Sequence, residues 1–330
     1  MEKIWETPPG AENYMYLLDQ LLDRNKKGTV SLANYVLIRQ HDVQNEVLQK
    51  YKNDVQSFYH AKVDDVDFVT NGEQIQTAVN EWTDEQTHGL IKSILDSPPD
   101  PATAALILNA IYFKDKWLQP FSKITNEILP FYNKGQGEKQ TEFMTSYERR
   151  APYKEITMAG ETVQVLELAY KHDNISMCIL LPKERNGLNK ILRSENVQAD
   201  LSSAIRSIAD MERGNLNIYI PKFRIESGYS LKPALSAIGI KSVFDPRSAD
   251  LSGIDGDHSL YVSGVEHKAV IRVDEEGTEA AALTMITVVG MSAPFHRVPP
   301  TEFKADHPFL FFIKDKGTGV VLFMGKLEEL

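Results

Sequence analysis

Val273-Asp274-Glu275-Glu276-Gly277-Thr278-Glu279-Ala280-Ala281-Ala282 leads into Ile286-Thr287-Val288-Val289 and then Gly290-Met291-Ser292. Loops are ordinarily built from Gly, Pro, Asn, Asp and Ser, each with its own turn chemistry. This stretch has the composition of a strand instead. Thr278, Ala280, Ala282, Thr284 and Ile286 recur with period two and so share one face. Most of them are small, as residues sliding into a preformed sheet need to be. A loop written as a strand is expected to be a switch.

The chain before it alternates as well: Ala269, Ile271 and Val273 are interleaved with Val270 and Arg272, a strand feeding directly into the segment. Further back, Thr29–Ile38 is a hydrophobic strand, preceded by one short, acid-leaning helical stretch, Glu12–Arg24. Val47, Leu48, Tyr51, Val55, Phe58 and Tyr59 recur at helical spacing. So do Ile75, Val79 and Trp82, continuing through Leu90, Ile91, Ile94 and Leu95, with Asn71 as the N-cap. Pro98-Pro99-Asp100-Pro101 breaks the chain before Ala102–Phe113, which is apolar enough to be a strand buried on both faces. Leu216, Ile218 and Ile220 alternate up to Pro221-Lys222-Phe223, and Leu231–Ile238 is helical. Phe309–Ile313 and Val320–Met324 form a hairpin around Asp315-Lys316-Gly317-Thr318-Gly319. Helices and strands mix without regular βαβ alternation, which predicts an α+β fold in one domain over residues 1–330.

Composition excludes several function classes. The chain has 330 residues, 42% hydrophobic, enough for a large core. A net charge of −10 argues against nucleic acid as a partner, since phosphate binding needs a basic surface. It argues equally against a polyanion site, which needs clustered Lys and Arg. No run reaches the ~18 apolar residues of a membrane span, and Met1–Pro8 lacks the apolar core of a secretory signal. The single cysteine, Cys178, lies in an apolar strand and reads as an inert core thiol. Asn174-Ile175-Ser176 is a glycosylation sequon, meaningful only on an exported chain. There is no phosphate loop, no nucleophile elbow and no His-Glu-x-x-His. Asp255-Gly256-Asp257 lacks the length and terminal Glu of a calcium loop and reads as a turn. No cofactor and no metal are expected, and the chain is not expected to be an enzyme.

The switch segment resembles the reactive-loop hinge of the serpins, a family of serine protease inhibitors. Four further motifs carry the same resemblance in matching order over about residues 29–330: Asn109–Trp117 followed by Pro120-Phe121, Ala249–Gly253, Glu266–Val270, and Phe303–Ile313. The resemblance implies a large central mixed sheet with surrounding helices, a second barrel-like sheet and an exposed reactive loop. It implies a hinge over Gly277, Thr278, Glu279, Ala280, Ala281 and Ala282. It also implies a gate where the loop first inserts, made of Glu275, Lys222 and Trp117, and a polar cluster at the sheet centre, Asn109 with His267. Counting along the family's spacing from Glu275 places the scissile bond between Met291 and Ser292. An apolar bait implies an elastase-like or chymotrypsin-like serine protease as partner rather than a trypsin-like one, whose pocket carries a carboxylate. Arg297 would be the bait only in another register.

The implied activity is inhibition as a suicide substrate. The alternative is a non-inhibitory or truncated serpin that only binds or polymerises. Most serpins open with a helix, a strand and two further helices ahead of the strand matching Thr29–Ile38. Those elements are therefore expected to be missing, leaving Asn109 and His267 partly unsatisfied and the isolated chain poorly soluble or polymeric. Family resemblance implies an extracellular protein, with a cytoplasmic one as the alternative.

Overall fold

A computed structural model describes residues 30–40, 46–171, 174–256, 258–277 and 299–330. The chain divides into two compact units: Met1–Lys114 with Ile225–Ile271, and Asp115–Arg224 with Arg272–Leu330.

The first unit is built on a five-stranded mixed sheet. Its strands are β1 (Val30–Arg39), β2 (Ala61–Val66), β3 (Ala105–Phe113), β9 (Phe223–Ser230) and β10 (Val262–Val273), in the order β2-β1-β3-β10-β9. β3, the sequence ALILNAIYF, is rich in apolar residues and lies at the centre. It pairs antiparallel with β1 and parallel with β10. The helix Gly72–Gln86 turns Ile75, Val79 and Thr83 inward at helical spacing. Its apolar stripe packs with Leu37, Leu106, Leu108 and Val270 in one core cluster.

Three expectations are corrected here. The helix stops at Gln86 and does not run through Leu90–Leu95. Ile91, Ile94 and Leu95 join the same core, but their backbone is held by side chains. The Asn80 carboxamide accepts from the amides of Ile94 and Leu95 and donates to the Leu95 carbonyl. The Thr87 hydroxyl accepts from the Ile91 amide. Burial at helical spacing thus does not require a helix. Asn71 occupies the N-cap position without a side-chain cap: its backbone is not extended, with φ −113° and ψ 21°, and its Oδ1 accepts from the Thr70 hydroxyl. Finally, β3 starts at Ala105 rather than Ala102: the Asp100 carboxylate accepts from the Ala102 amide and holds a turn there.

The second unit carries an eight-stranded sheet. Its strands are β4 (Glu127–Asn133), β5 (Gly137–Met158), β6 (Glu161–Ala169), β7 (Ile175–Pro182), β8 (Arg213–Pro221), β11 (Thr301–Lys304), β12 (Phe309–Asp315) and β13 (Val321–Leu327). The order is β11-β8-β5-β6-β7-β12-β13, with β4 paired to β5. β12 and β13 form the expected hairpin, and β7 is buried along its whole length. Leu180, Leu310 and Phe312 pack with Leu188, Ile191 and Ala204, which come from the short helices Gly187–Leu192 and Val197–Ser207.

Cys178 lies at the centre of β7, fully buried, and burial pushes its thiol up to about 12. The thiolate is the reactive form. Treatment of the native protein with a thiol-reactive disulfide reagent at pH 8 should therefore leave Cys178 unmodified, and the same reagent in denaturant should titrate one thiol. Rapid labelling of the native protein would show that β7 opens locally.

Candidate functional site: the gate and the sheet-centre latch

β10 ends at Val273, two residues short of Glu275, and the chain then closes a tight turn. The Asp274 amide donates to the Gly277 carbonyl, and the Gly277 amide donates to the Asp274 carbonyl. This turn is fastened to the segment that follows β3. The Trp117 amide donates to the Glu276 carbonyl, the Phe121 amide to the Glu275 carbonyl, and the Trp117 indole Nε1 to the Asp274 carbonyl at 2.9 Å. Gly277 has φ +136°, and a Cβ there would lie 2.1 Å from the Asp115 carbonyl oxygen. Only glycine fits this approach.

Three consecutive acids, Asp274, Glu275 and Glu276, are buried in this turn. Each has its own partner. Lys222 Nζ lies 2.6 Å from Glu275 Oε1 and 2.8 Å from Glu142 Oε1. The Asn126 amide donates to both of those carboxylates. Lys123 reaches Glu276, and the Glu276 amide donates to Asp274. Trp117, 1% exposed, stacks on Tyr170 at 4.4 Å and meets Phe121 edge-on. An open cleft of about 560 Å³ adjoins the cluster. Glu275, Lys222 and Trp117 are thus brought together around one turn. Sequence reasoning did not single out Asn126, Glu142, Lys123 or Asp274. Asp274 adjoins Glu275, whereas Lys123, Asn126 and Glu142 come from elsewhere in the chain.

Burial by itself would raise the Glu275 carboxyl. The Lys222 ammonium, the Glu275 backbone amide and the Asn126 amide together outweigh it and hold the group below its ordinary value. Burial would likewise lower Lys222, but its two carboxylate partners raise it. For Asp274 burial prevails, over the opposing Glu276 amide and the Arg272 charge, and the carboxyl is raised.

In the first unit, Asn109 on β3 and His267 on β10 are direct cross-strand partners. His267 Nδ1 lies 2.6 Å from Asn109 Oδ1. The Asn109 Nδ2 donates to Asn34 Oδ1 on β1 at 2.6 Å, so its Oδ1 is the acceptor for His267 and the imidazole is protonated at Nδ1. Burial lowers the His267 pKa and keeps the ring neutral. The Asn109 amide thus has a partner at each end. The expectation that it would be left partly unsatisfied is corrected: Asn34, inside the strand expected at Thr29–Ile38, supplies the missing partner.

Of the hinge residues, Gly277 closes the turn. Thr278, Glu279, Ala280, Ala281, Ala282, Met291 and Ser292 lie outside the described residues. Asn174 is exposed at a turn with φ +56°, and its sequon partner Ser176 is buried, donating to Glu167. Among the described residues there is no cluster of three His, Cys, Asp or Glu that would hold a metal ion, and no helix is long and apolar enough to cross a membrane.

Comparison with known proteins defines the class. The sequence model of the serpins, serine protease inhibitors, matches residues 5–330. Iripin-3 of Ixodes ricinus is 37% identical over 92% of this chain and 73% of its own length. Intracellular coagulation inhibitor 2 of Tachypleus tridentatus is 35% identical over 96% and 74%, and human Serpin B4 is 34% identical over 86% and 71%. Among solved structures, Serpin48 of the insect Tenebrio molitor superposes with a TM-score of 0.79 at 29% identity, covering 97% of this chain and 81% of that one. Native protease nexin-1, solved with heparin, shares the fold with a TM-score of 0.82 at 24% identity over 99% and 83%. The chain belongs to the serpin family and has the α+β serpin fold. Membership does not carry the extracellular compartment expected above, because the coagulation inhibitor among these relatives is by name intracellular.

Two acids of the Asp274–Gly277 turn, Glu275 and Asp274, act on stability with opposite signs. Glu275, held below the ordinary carboxylate value of about 4.3, stabilises the fold above that pH and loses its contribution as pH falls through its lower folded value. Asp274, held above its ordinary value, favours the fold when protonated, and that contribution is lost as pH rises through its folded value. Glu275→Gln is therefore expected to lower stability at pH 7 by ~1–2 kcal/mol, a difference that shrinks on acidification. Asp274→Asn keeps an acceptor for the Glu276 amide and should raise stability at pH 7, with the gain vanishing at low pH. Thermal melts across acid to neutral pH read both. A Glu275→Gln defect that is the same at every pH would remove the ion pair from the account.

Proposed function

We propose that this serpin is a suicide inhibitor of serine proteases, cleaved between Met291 and Ser292 and trapping its target by inserting the cleaved segment between β3 and β10. The observation that carries the reading is the parallel β3–β10 pair. β10 leads through the Asp274–Gly277 turn into the segment of small, alternating residues, so that segment returning along β10 would run antiparallel to it. Placed between β3 and β10, it would replace one parallel pairing with two antiparallel ones, which are slightly more stable per residue. Insertion of the serpin reactive loop is one of the known forms of strand addition to a sheet, in which main-chain hydrogen bonds supply the affinity.

The Asn109–His267 hydrogen bond spans this seam and acts as its latch. The turn at Asp274–Gly277, held by Trp117, Glu275 and Lys222, is the gate from which insertion starts. The protease serine attacks the Met291 carbonyl, the peptide bond to Ser292 breaks, and the Ser292 amine leaves with the C-terminal fragment. Insertion of Thr278 onward then holds the acyl-enzyme away from productive hydrolysis. No residue of this chain is a catalyst: it supplies a substrate and a spring. The partner is a protease with an apolar primary pocket, elastase-like or chymotrypsin-like, suited to the flexible Met291 side chain.

Brief exposure to such a protease should release a C-terminal fragment beginning at Ser292, read by intact mass. A fragment beginning at Val298 would move the bait to Arg297. Oxidation of Met291 to the polar sulfoxide should slow complex formation. Thr278→Arg places a charge where the first inward hinge residue must be buried. Cleavage should persist while the SDS-stable protease complex is lost. Normal complex yield in Thr278→Arg would overturn the inward assignment, and cleavage without any complex in the unmodified protein would favour a non-inhibitory serpin.

A further inference from the structure

The second unit holds a cationic cavity that the inhibitory reading does not use. In β5, Ser146 pairs with Ile218 of β8, but the next pairing is Arg149 with Leu216. Tyr147 and Glu148 thus face the single residue Asn217, a bulge in which Glu148 adopts φ +49° and donates its amide to the Asn217 side chain. The bulge resets the inward face of the strand, so that Arg149 and Ala151 are buried.

Arg149 is 9% exposed, and its Nη1 is buried with no hydrogen-bond partner among the described residues. Its guanidinium lies 4.8 Å from the Phe121 ring, a contact that supports the cation but accepts no hydrogen bond in the plane of the fork. Buried cations are ordinarily paired, because an unpaired one forfeits its hydration. Burial accordingly lowers this guanidinium to about 10. Arg149 lines a cavity of about 50 Å³ with Arg150, Arg213, Lys316, Gln119 and Glu167. The one acid is already engaged: Glu167 Oε1 lies 3.1 Å from Lys316 and accepts from the Ser176 hydroxyl. None of the three arginines has an ion-pair partner among the described residues, in a chain whose net charge is −10.

We propose that this cavity binds a single tetrahedral oxyanion, a phosphate or sulfate group, with Arg149 as its buried anchor and Arg150 and Arg213 at the mouth. A guanidinium fork matches two oxygens of such a group, and the volume suits one group rather than a chain of them. The shared chemistry admits a free inorganic ion or a phosphomonoester.

Isothermal titration with sodium phosphate and with sodium sulfate, at ionic strength fixed by sodium chloride, should show saturable binding at one site. Arg149→Met keeps an apolar stem against Phe121 and should weaken binding at least about tenfold, as expected for loss of charge-assisted hydrogen bonds. Arg213→Ser, at an exposed position, should weaken it about two- to fivefold. A phosphoserine dipeptide that binds as tightly as inorganic phosphate would assign the site to a chain-borne group, and weaker binding would assign it to the free ion. The proposal is overturned if neither oxyanion binds above the chloride background, or if Arg149→Met binds unchanged. Should Arg149→Met fail to fold, the double variant Arg150→Ser, Arg213→Ser decides: unchanged affinity overturns the proposal, and loss of binding supports it.

Discussion

The parallel pairing of β3 with β10 is the constraint on which the rest of the molecule depends. β3 is central in its sheet, and its two neighbours come from distant parts of the chain. On the β1 side the pairing is antiparallel; on the β10 side it is parallel. A parallel seam inside a mixed sheet is a place where a strand of the opposite direction can be accommodated with gain. The cross-strand partners Asn109 and His267 add a short side-chain hydrogen bond to the backbone ladder across that seam. Elsewhere β3 is almost wholly apolar, so Asn109 and His267 rely on each other, and Asn109 on Asn34, for their hydrogen bonds.

The turn at Asp274–Gly277 shows a second kind of restraint. Three neighbouring carboxylates in a buried turn would repel one another and lose hydration. They are tolerated because the turn delivers each to a different partner: Lys222 and Asn126 to Glu275, Lys123 to Glu276, and a backbone amide to Asp274. The backbone of the same turn is fastened to the strand-like segment around Trp117, and Gly277 is what permits that closeness. The arrangement is therefore held by groups that act together, so that loss of one partner leaves a buried charge exposed to the others.

The oxyanion cavity at Arg149 follows from the same physics of buried charge. In the gate every buried acid has a partner within the unit. At Arg149 a buried cation has an aromatic face and, among the described residues, no acceptor for Nη1. That difference separates a self-contained structural cluster from one that is built to receive a ligand.

Much of this was legible in the sequence. The alternation through Ala269–Val273, the doubly apolar run ending at Phe113 and the β12–β13 hairpin follow from side-chain period alone, because burial on one or both faces leaves that imprint. The serpin motifs in the sequence carry Asn109, His267, Glu275, Lys222 and Trp117. Leu90–Leu95 misled, since its apolar spacing continued that of a helix. Only the tertiary structure showed that Asn80 and Thr87 hold its backbone in another conformation. Asn34, Asn126, Glu142 and the bulge that turns Arg149 inward were likewise invisible. A polar residue is identified as a partner by what folding brings opposite it, and a bulge leaves no periodic trace. The sequence by itself determined most of the elements and, through its motifs, the family, because those depend on local pattern. The tertiary structure decided which polar groups are satisfied and which strands pair, because those depend on contacts between residues far apart in the chain.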